Sequence, residues 1–157
     1  MADWIEVGEL APRFELESDS GEKVDLAALQ GTPVVLYFYP RDDTPGCTKE
    51  ACAFRDSHPQ WSAGGAKLFG ISPDTVESHG KFRDKYQLNF PLLADPDHAV
   101  AERYGAWREK NMYGKKSMGI QRSTFLIDAE GKVARVWKRV RVDGHDQQVQ
   151  EALRDLG

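Results

Sequence analysis

The sequence predicts an α/β fold built around a parallel sheet. Two runs carry this reading: PVVLYFYP, Pro33 to Pro40, is continuously β-branched and aromatic between prolines, and AKLFGIS, Ala66 to Ser72, reads as a second buried strand. Such runs read as strands buried on both faces. A stretch with helical spacing follows each, and strand, helix, strand, helix implies parallel strands joined by right-handed crossovers.

Taken in order, RFELES-DSGE-KVDL reads as two short alternating runs around a turn, Asp19 to Glu22, which predicts an N-terminal hairpin. PVVLYFYP should be the central strand. After Thr44-Pro45-Gly46, the stretch CTKEACAFRDSHPQW has helical spacing, with Ala51, Phe54 and the Arg55 stem on one side. This helix is expected to begin at Cys47 and end near Pro59. SPDTVESHGKFRDKYQL follows AKLFGIS as a second helix, capped by Asp74 or Thr75, with Val76, His79, Phe82 and Tyr86 along one stripe. FPLLAD reads as a short strand, PDHAVAERYGAW as a helix and STFLIDAEGKVARVWK as a hairpin turning at Ala129 to Lys132. DGHDQQVQEALRDL closes the chain as a helix capped by Asp143, while REKNMYGKKSMGIQ, Arg108 to Gln121, has no clean period and reads as a long loop with Lys115 and Lys116 solvated.

The 157 residues suit one domain, 1–157, with no internal repeat, low-complexity tract or linker. Hydrophobic residues at 40% and charged residues at 29% are ordinary for a globular chain. With 21 basic against 25 acidic residues and a formal net charge of -4, the basic stripe of a nucleic-acid binder is missing. Nucleic acid and anionic membrane are therefore discounted as partners. No basic segment leads into an apolar run at the start, and no stretch is long enough to span a bilayer, so the expected location is cytoplasmic.

Both cysteines lie in DDTPGCTKEAC, as Cys47 and Cys52. In a reducing compartment a cysteine pair is more often catalytic, redox-sensing or metal-binding than a permanent bridge. Five residues apart on one helix, the two would stand about 140° round the axis and about 7.5 Å along it, with Cα atoms roughly 8 to 9 Å apart. That exceeds disulfide reach without backbone movement, which suits a transient link better than a staple. His58, His79, His98 and His145 are scattered singly, so a zinc site lacks its ligand pattern, and C-x-x-C is absent. Two inert buried thiols are the default for isolated cysteines; against that default stand the Thr-Pro-Gly turn and the helix start. Unpaired N–H groups and the helix dipole there favour a thiolate, the nucleophilic form. Thr44 could donate to the sulfur, orient a small polar substrate or simply cap the helix. Pro40 and Pro45 fix φ and exclude water, and Glu50 by itself reads as a solvated carboxylate near a positive helix end.

The stretch YFYPRDDTPGCTKEACAFRD resembles the peroxiredoxins, specifically their Q-type, or bacterioferritin comigratory protein, branch. Pro40, Thr44 and Cys47 match P-x-x-x-T-x-x-C, and Cys52 stands at the Q-type resolving position; the likeness extends through GELAPRFELESDSGEKVDLAAL, GISPDTVESHGKF and YGAWREKNMYGKKSMGIQRSTFLID. Arg41, where Lys is more common, is a slight departure. The resemblance implies a thioredoxin-like fold with an N-terminal β-hairpin extension and a thiol-dependent peroxidase. In it Cys47 is the peroxidatic nucleophile and Cys52 the resolving thiol that forms an intramolecular disulfide with it. Thr44 and Arg122 bind the peroxide oxygens, and Pro40, Gly46 and Glu50 complete the substrate site. It further implies reduction by a thioredoxin-like dithiol, no metal, flavin or haem, and a monomer or weak homodimer. A redox sensor or holdase without turnover is the reading from another class; the complete set of Thr44, Cys47 and Arg122 speaks against it.

Overall fold

In the computed structural model, which describes residues 3–62 and 64–156, the apolar runs form the centre of a five-stranded mixed sheet of order β5-β4-β3-β8-β9. Its strands are β3 (Val34–Phe38), β4 (Lys67–Ser72), β5 (Leu92–Ala94), β8 (Ser123–Ile127) and β9 (Val133–Trp137). β3, β4 and β5 are mutually parallel, whereas β8 runs antiparallel to both β3 and β9. The expected parallel sheet is thus the β3–β5 part of a mixed one: β8 enters antiparallel to β3, and the tight turn after it returns β9 antiparallel to β8.

All five residues of β3 are buried, as a strand covered on both faces requires. Their alternation divides the interior in two. Val34, Leu36 and Phe38 join Ile71, Phe125 and Tyr104 in one cluster, while Val35, Tyr37 and Tyr39 join Cys47, Phe54 and Leu92 in the other. Among the described residues, four α-helices flank the sheet: α1 (Pro45–Ser62), α2 (Val76–Tyr86), α3 (Ala99–Tyr104) and α4 (His145–Asp155). An N-terminal hairpin pairs β1 (Glu15–Glu17) with β2 (Lys23–Asp25), as expected.

Several expectations need correction. Arg108 to Gln121 is largely not a loop: β6 (Trp107–Met112) and β7 (Lys115–Ile120) form an antiparallel hairpin with Tyr113 and Gly114 in left-handed conformation at its tip. Lys115 and Lys116 are exposed on it. Helix α1 starts at Pro45, two residues before Cys47, since proline suits a first helical position. It also runs through Pro59 to Ser62. The Arg55 carbonyl, which a residue with an N–H at 59 would have bonded, instead accepts from Asn89 Nδ2 at 3.0 Å. Of the two cap candidates for α2, Asp74 and Thr75, it is Thr75 that caps, as the reading allowed, accepting from the Ser78 N–H at 3.1 Å. Gly144, not Asp143, stands at the N-cap of α4, and the Asp143 carboxylate instead meets Lys49 of α1.

Candidate active site

Cys47 sits in the first turn of α1, beyond the carboxyl end of β3, where open α/β sheets place their sites. The loop between strand and helix is heavily tied down. The Asp42 carboxylate accepts from Tyr39 Oη at 2.6 Å and Ser78 Oγ at 2.8 Å, and lies 2.7 Å from His79 Nδ1. Asp43, at φ 56°, accepts from Lys85 Nζ at 2.8 Å and Tyr86 Oη at 2.7 Å. These two bonds hold the Asp43 carboxyl below its ordinary range. Helix α1 therefore starts from an anchored point, with Cys47 buried in the cluster that includes Tyr37, Tyr39, Ala51 and Phe54.

Arg122 arrives from the other end of the sequence, one residue before β8, with its carbonyl accepting from the Val140 N–H at 3.2 Å. Its guanidinium forks. Nη2 donates to Cys47 Sγ at 3.2 Å, and Nη1 donates to Glu50 Oε1 at 2.6 Å. Glu50 is not the solvated carboxylate its sequence position implied; it is buried at 1% exposure, one helical turn after Cys47. Burial pushes its carboxyl up to about 7 against the opposing pull of Arg122, whose own value the charges of Glu50 and Cys47 raise against its desolvation. The planar, fixed fork of arginine suits this double contact.

Gly46 earns its place sterically: a Cβ there would stand 3.1 Å from Arg122 Nη2. Thr44 is half-buried before α1, its hydroxyl donating to the Arg41 carbonyl at 2.9 Å and its carbonyl accepting from the Thr48 N–H at 2.8 Å. The hydroxyl oxygen thus keeps acceptor capacity while its proton is committed to the loop. Pro40 lies half-buried between β3 and that loop. Cys52, partly exposed on the same helix, is a free thiol, as is Cys47.

Cys47, Glu50, Gly46 and Arg122 are therefore brought together, Thr44 and Pro40 flank them, and Cys52 stands apart. The sequence reading missed Asp42 and His79 as anchors. A signal existed for His79: a histidine in the apolar stripe of α2 must be buried with partners, here Asp42 and the Leu93 carbonyl at 2.9 Å. Burial holds the half-buried Lys110 amine of β6 below its ordinary range, the charge of Arg122 adding to this and that of Cys47 opposing it. Asp42, Asp74 and His79 could hold a cation, but each is already engaged in hydrogen bonds.

Comparison with known proteins points the same way. The AhpC/TSA family profile matches residues 7–136. Peroxiredoxin Bcp of Bacillus subtilis is 49% identical over 152 residues, 97% of each chain, and that of Escherichia coli K12 is 42% identical over 151 residues, 96% of this chain and 97% of its own. Among solved structures, the bacterioferritin comigratory protein of Xanthomonas campestris, studied for alkyl peroxide reduction, superposes with a TM-score of 0.90 at 39% identity, covering 96% of this chain and 99% of that one. A mutant of Xylella fastidiosa PrxQ gives 0.93 at 31% identity over 99% of both chains. The architecture is accordingly the thioredoxin-like α/β fold of Q-type peroxiredoxin structures.

Proposed function

This chain belongs to the AhpC/TSA family of peroxiredoxins and is a thiol-dependent peroxidase, and from that premise we propose that Cys47 is its nucleophile and Cys52 its resolving thiol. The observation that carries the assignment is the forked contact of Arg122, with 3.2 Å to Cys47 Sγ on one nitrogen and 2.6 Å to Glu50 on the other. A cation so held stands ready for charge developing on a peroxide oxygen.

The Cys47 thiolate attacks the terminal oxygen of hydrogen peroxide or an alkyl hydroperoxide. A sulfur–oxygen bond forms as the oxygen–oxygen bond breaks, and its electron pair departs on hydroxide or alkoxide, which takes a proton to leave as water or alcohol. Arg122 and the Cys47 N–H stabilise that departing charge, while Thr44 Oγ1 accepts from the substrate's own O–H, a role consistent with its committed proton. Cys52 then attacks the sulfenic sulfur; water leaves, and a 47 to 52 disulfide forms. A thioredoxin-like dithiol supplies two electrons and two protons to restore both thiols. We further read residues 1–157 as a single domain working in the cytoplasm as a monomer or weak homodimer.

The test is peroxide consumption with a thioredoxin system. Cys47→Ser should lose turnover, and Cys52→Ser, given one equivalent of peroxide, should retain an oxidised Cys47 without the intramolecular bridge in its mass spectrum. Wild-type turnover in Cys47→Ser would refute the nucleophile, and intermolecular Cys47 dimers as the sole wild-type product would refute the resolver.

A further inference from the structure

A 47 to 52 disulfide requires α1 to open between the two cysteines, because i and i+5 positions on an intact helix stand beyond disulfide reach. The end of α2 holds that segment on both sides. Before Cys47, the Asp43 carboxylate accepts from Tyr86 Oη at 2.7 Å and from Lys85 Nζ at 2.8 Å. After Cys52, Arg55 Nη1 donates to the Tyr86 carbonyl at 2.7 Å, and the Arg55 carbonyl accepts from Asn89 Nδ2 at 3.0 Å. Tyr86 thus takes both ends, one with its hydroxyl and the other with its carbonyl.

Its place in α2 makes this possible. As the last residue of the helix, before Gln87 turns the chain at φ 55°, Tyr86 has a carbonyl without an intrahelical partner, which Arg55 satisfies. The ring packs edge-on against buried Phe82 with centroids 5.5 Å apart, and the half-buried side chain is held there. Arg55 stands three residues after Cys52, on the turn that Cys52 begins, so unwinding that frees Cys52 carries Arg55 out of its helical position. Lys49 within the segment also pairs with Asp143, but both side chains are more than half exposed, and such pairs contribute little.

We propose that Tyr86 is a positioning residue for the resolving step, a two-ended clasp that holds residues 43–55 in the helical form and has to release before Cys52 reaches the sulfenic sulfur of Cys47. This rests on the reading of Cys52 as resolver and deepens it by naming what restrains that step. While the clasp is shut the sulfenic acid persists, and a second hydroperoxide can pass it one oxygen, leaving a sulfinic acid and water or alcohol. Contacts made in the dithiol form and lost in the disulfide favour the dithiol, so the clasp also makes the disulfide easier to reduce.

The test equilibrates wild type, Tyr86→Phe and Arg55→Met with mixtures of reduced and oxidised dithiothreitol and measures the fraction carrying the 47 to 52 disulfide by mass spectrometry. Tyr86→Phe removes the bond to Asp43, and Arg55→Met removes the bond to the Tyr86 carbonyl. Each should shift the balance toward disulfide about three- to tenfold, a tenfold shift corresponding to about 30 mV. Under excess hydroperoxide, each should also give less sulfinic Cys47 per turnover than wild type. Gln60→Ala, which loses the bond to Gln150 beyond the segment, should keep the wild-type balance. A balance unmoved in Tyr86→Phe overturns the proposal, as does a shift toward dithiol, or an equal shift in Gln60→Ala, which would assign the effect to helix stability alone. Wild type that forms no 47 to 52 disulfide would sink the resolving role itself, and the proposal with it.

Discussion

One oxygen of the Glu50 carboxylate takes the Arg122 guanidinium at 2.6 Å, and the other is buried without a partner among the described residues. Burial raises its carboxyl from 4.5 to about 7, with Arg122 opposing. An acid raised in this way binds its proton more firmly when folded than when unfolded. Its contribution is therefore most favourable below about 4.5 and declines as pH rises toward about 7. The full span corresponds to at most about 3 kcal/mol. Urea unfolding across that window should show wild type losing stability relative to Glu50→Gln as pH rises; parallel curves would show that Glu50 titrates alike in both states. Little of this was legible at the residue scale. The acidic residue after the cysteine could be read, but its burial depends on Arg122, 72 positions away, and no local pattern encodes that meeting.

At the scale of elements, what could be read followed burial. β3 and β4 were plain because five buried residues in a row leave a continuous apolar run. The β6–β7 hairpin was not, because β7 has four exposed residues in succession and the pair joins no larger sheet. Its period-2 signal is diluted by charge, and its tip is Tyr113-Gly114 where Asn-Gly would have announced the turn. Pro59 misled in the opposite direction: it was read as a stop, whereas Asn89 supplies the donor that the freed Arg55 carbonyl needs. The same substitution of partners divides α1. Beyond the Arg55 carbonyl, Ser57 meets Asp146, Gln60 accepts from Gln150 at 3.0 Å and the His58 ring lies 3.1 Å from the Asn89 carbonyl, while both cysteines lie before it. A 47 to 52 disulfide requires unwinding, since i and i+5 Cα atoms on a helix stand roughly 8 to 9 Å apart. The interruption at Pro59 should confine that unwinding. Hydrogen exchange on the oxidised protein should lose protection over residues 47–55 and keep it over 60–62; loss along all of α1 would refute the division.

Across the whole molecule, the succession of the sheet's strands and the helices along the chain could be anticipated from the sequence, but the tie that fixes the site end of the sheet could not. Asp42 follows β3, Asp74 follows β4, His79 lies on α2 and Leu93 on β5, and they meet only in the folded chain. His79 is fully buried with Nδ1 2.7 Å from Asp42 Oδ2 and Nε2 2.9 Å from the Leu93 carbonyl, while Asp74 Oδ2 accepts from the Asp42 N–H at 2.8 Å. Three parallel strands are thereby joined at the end where α1 begins. Removing the imidazole leaves a buried carboxylate and a buried carbonyl each short of a partner, a cost of about 2 to 4 kcal/mol. His79→Leu should therefore lower the melting temperature by roughly 2 to 4 °C for each kcal/mol lost. Altered packing alone could mimic that, so the informative measurement is the cycle with Asp42→Leu. If the two residues act as one unit, the double variant should be more stable than the sum of the single losses implies, by about 1 to 3 kcal/mol. Additivity within about 0.5 kcal/mol would mean that the contact is incidental and that the loop before Cys47 is held by Asp43 and its partners Lys85 and Tyr86 instead.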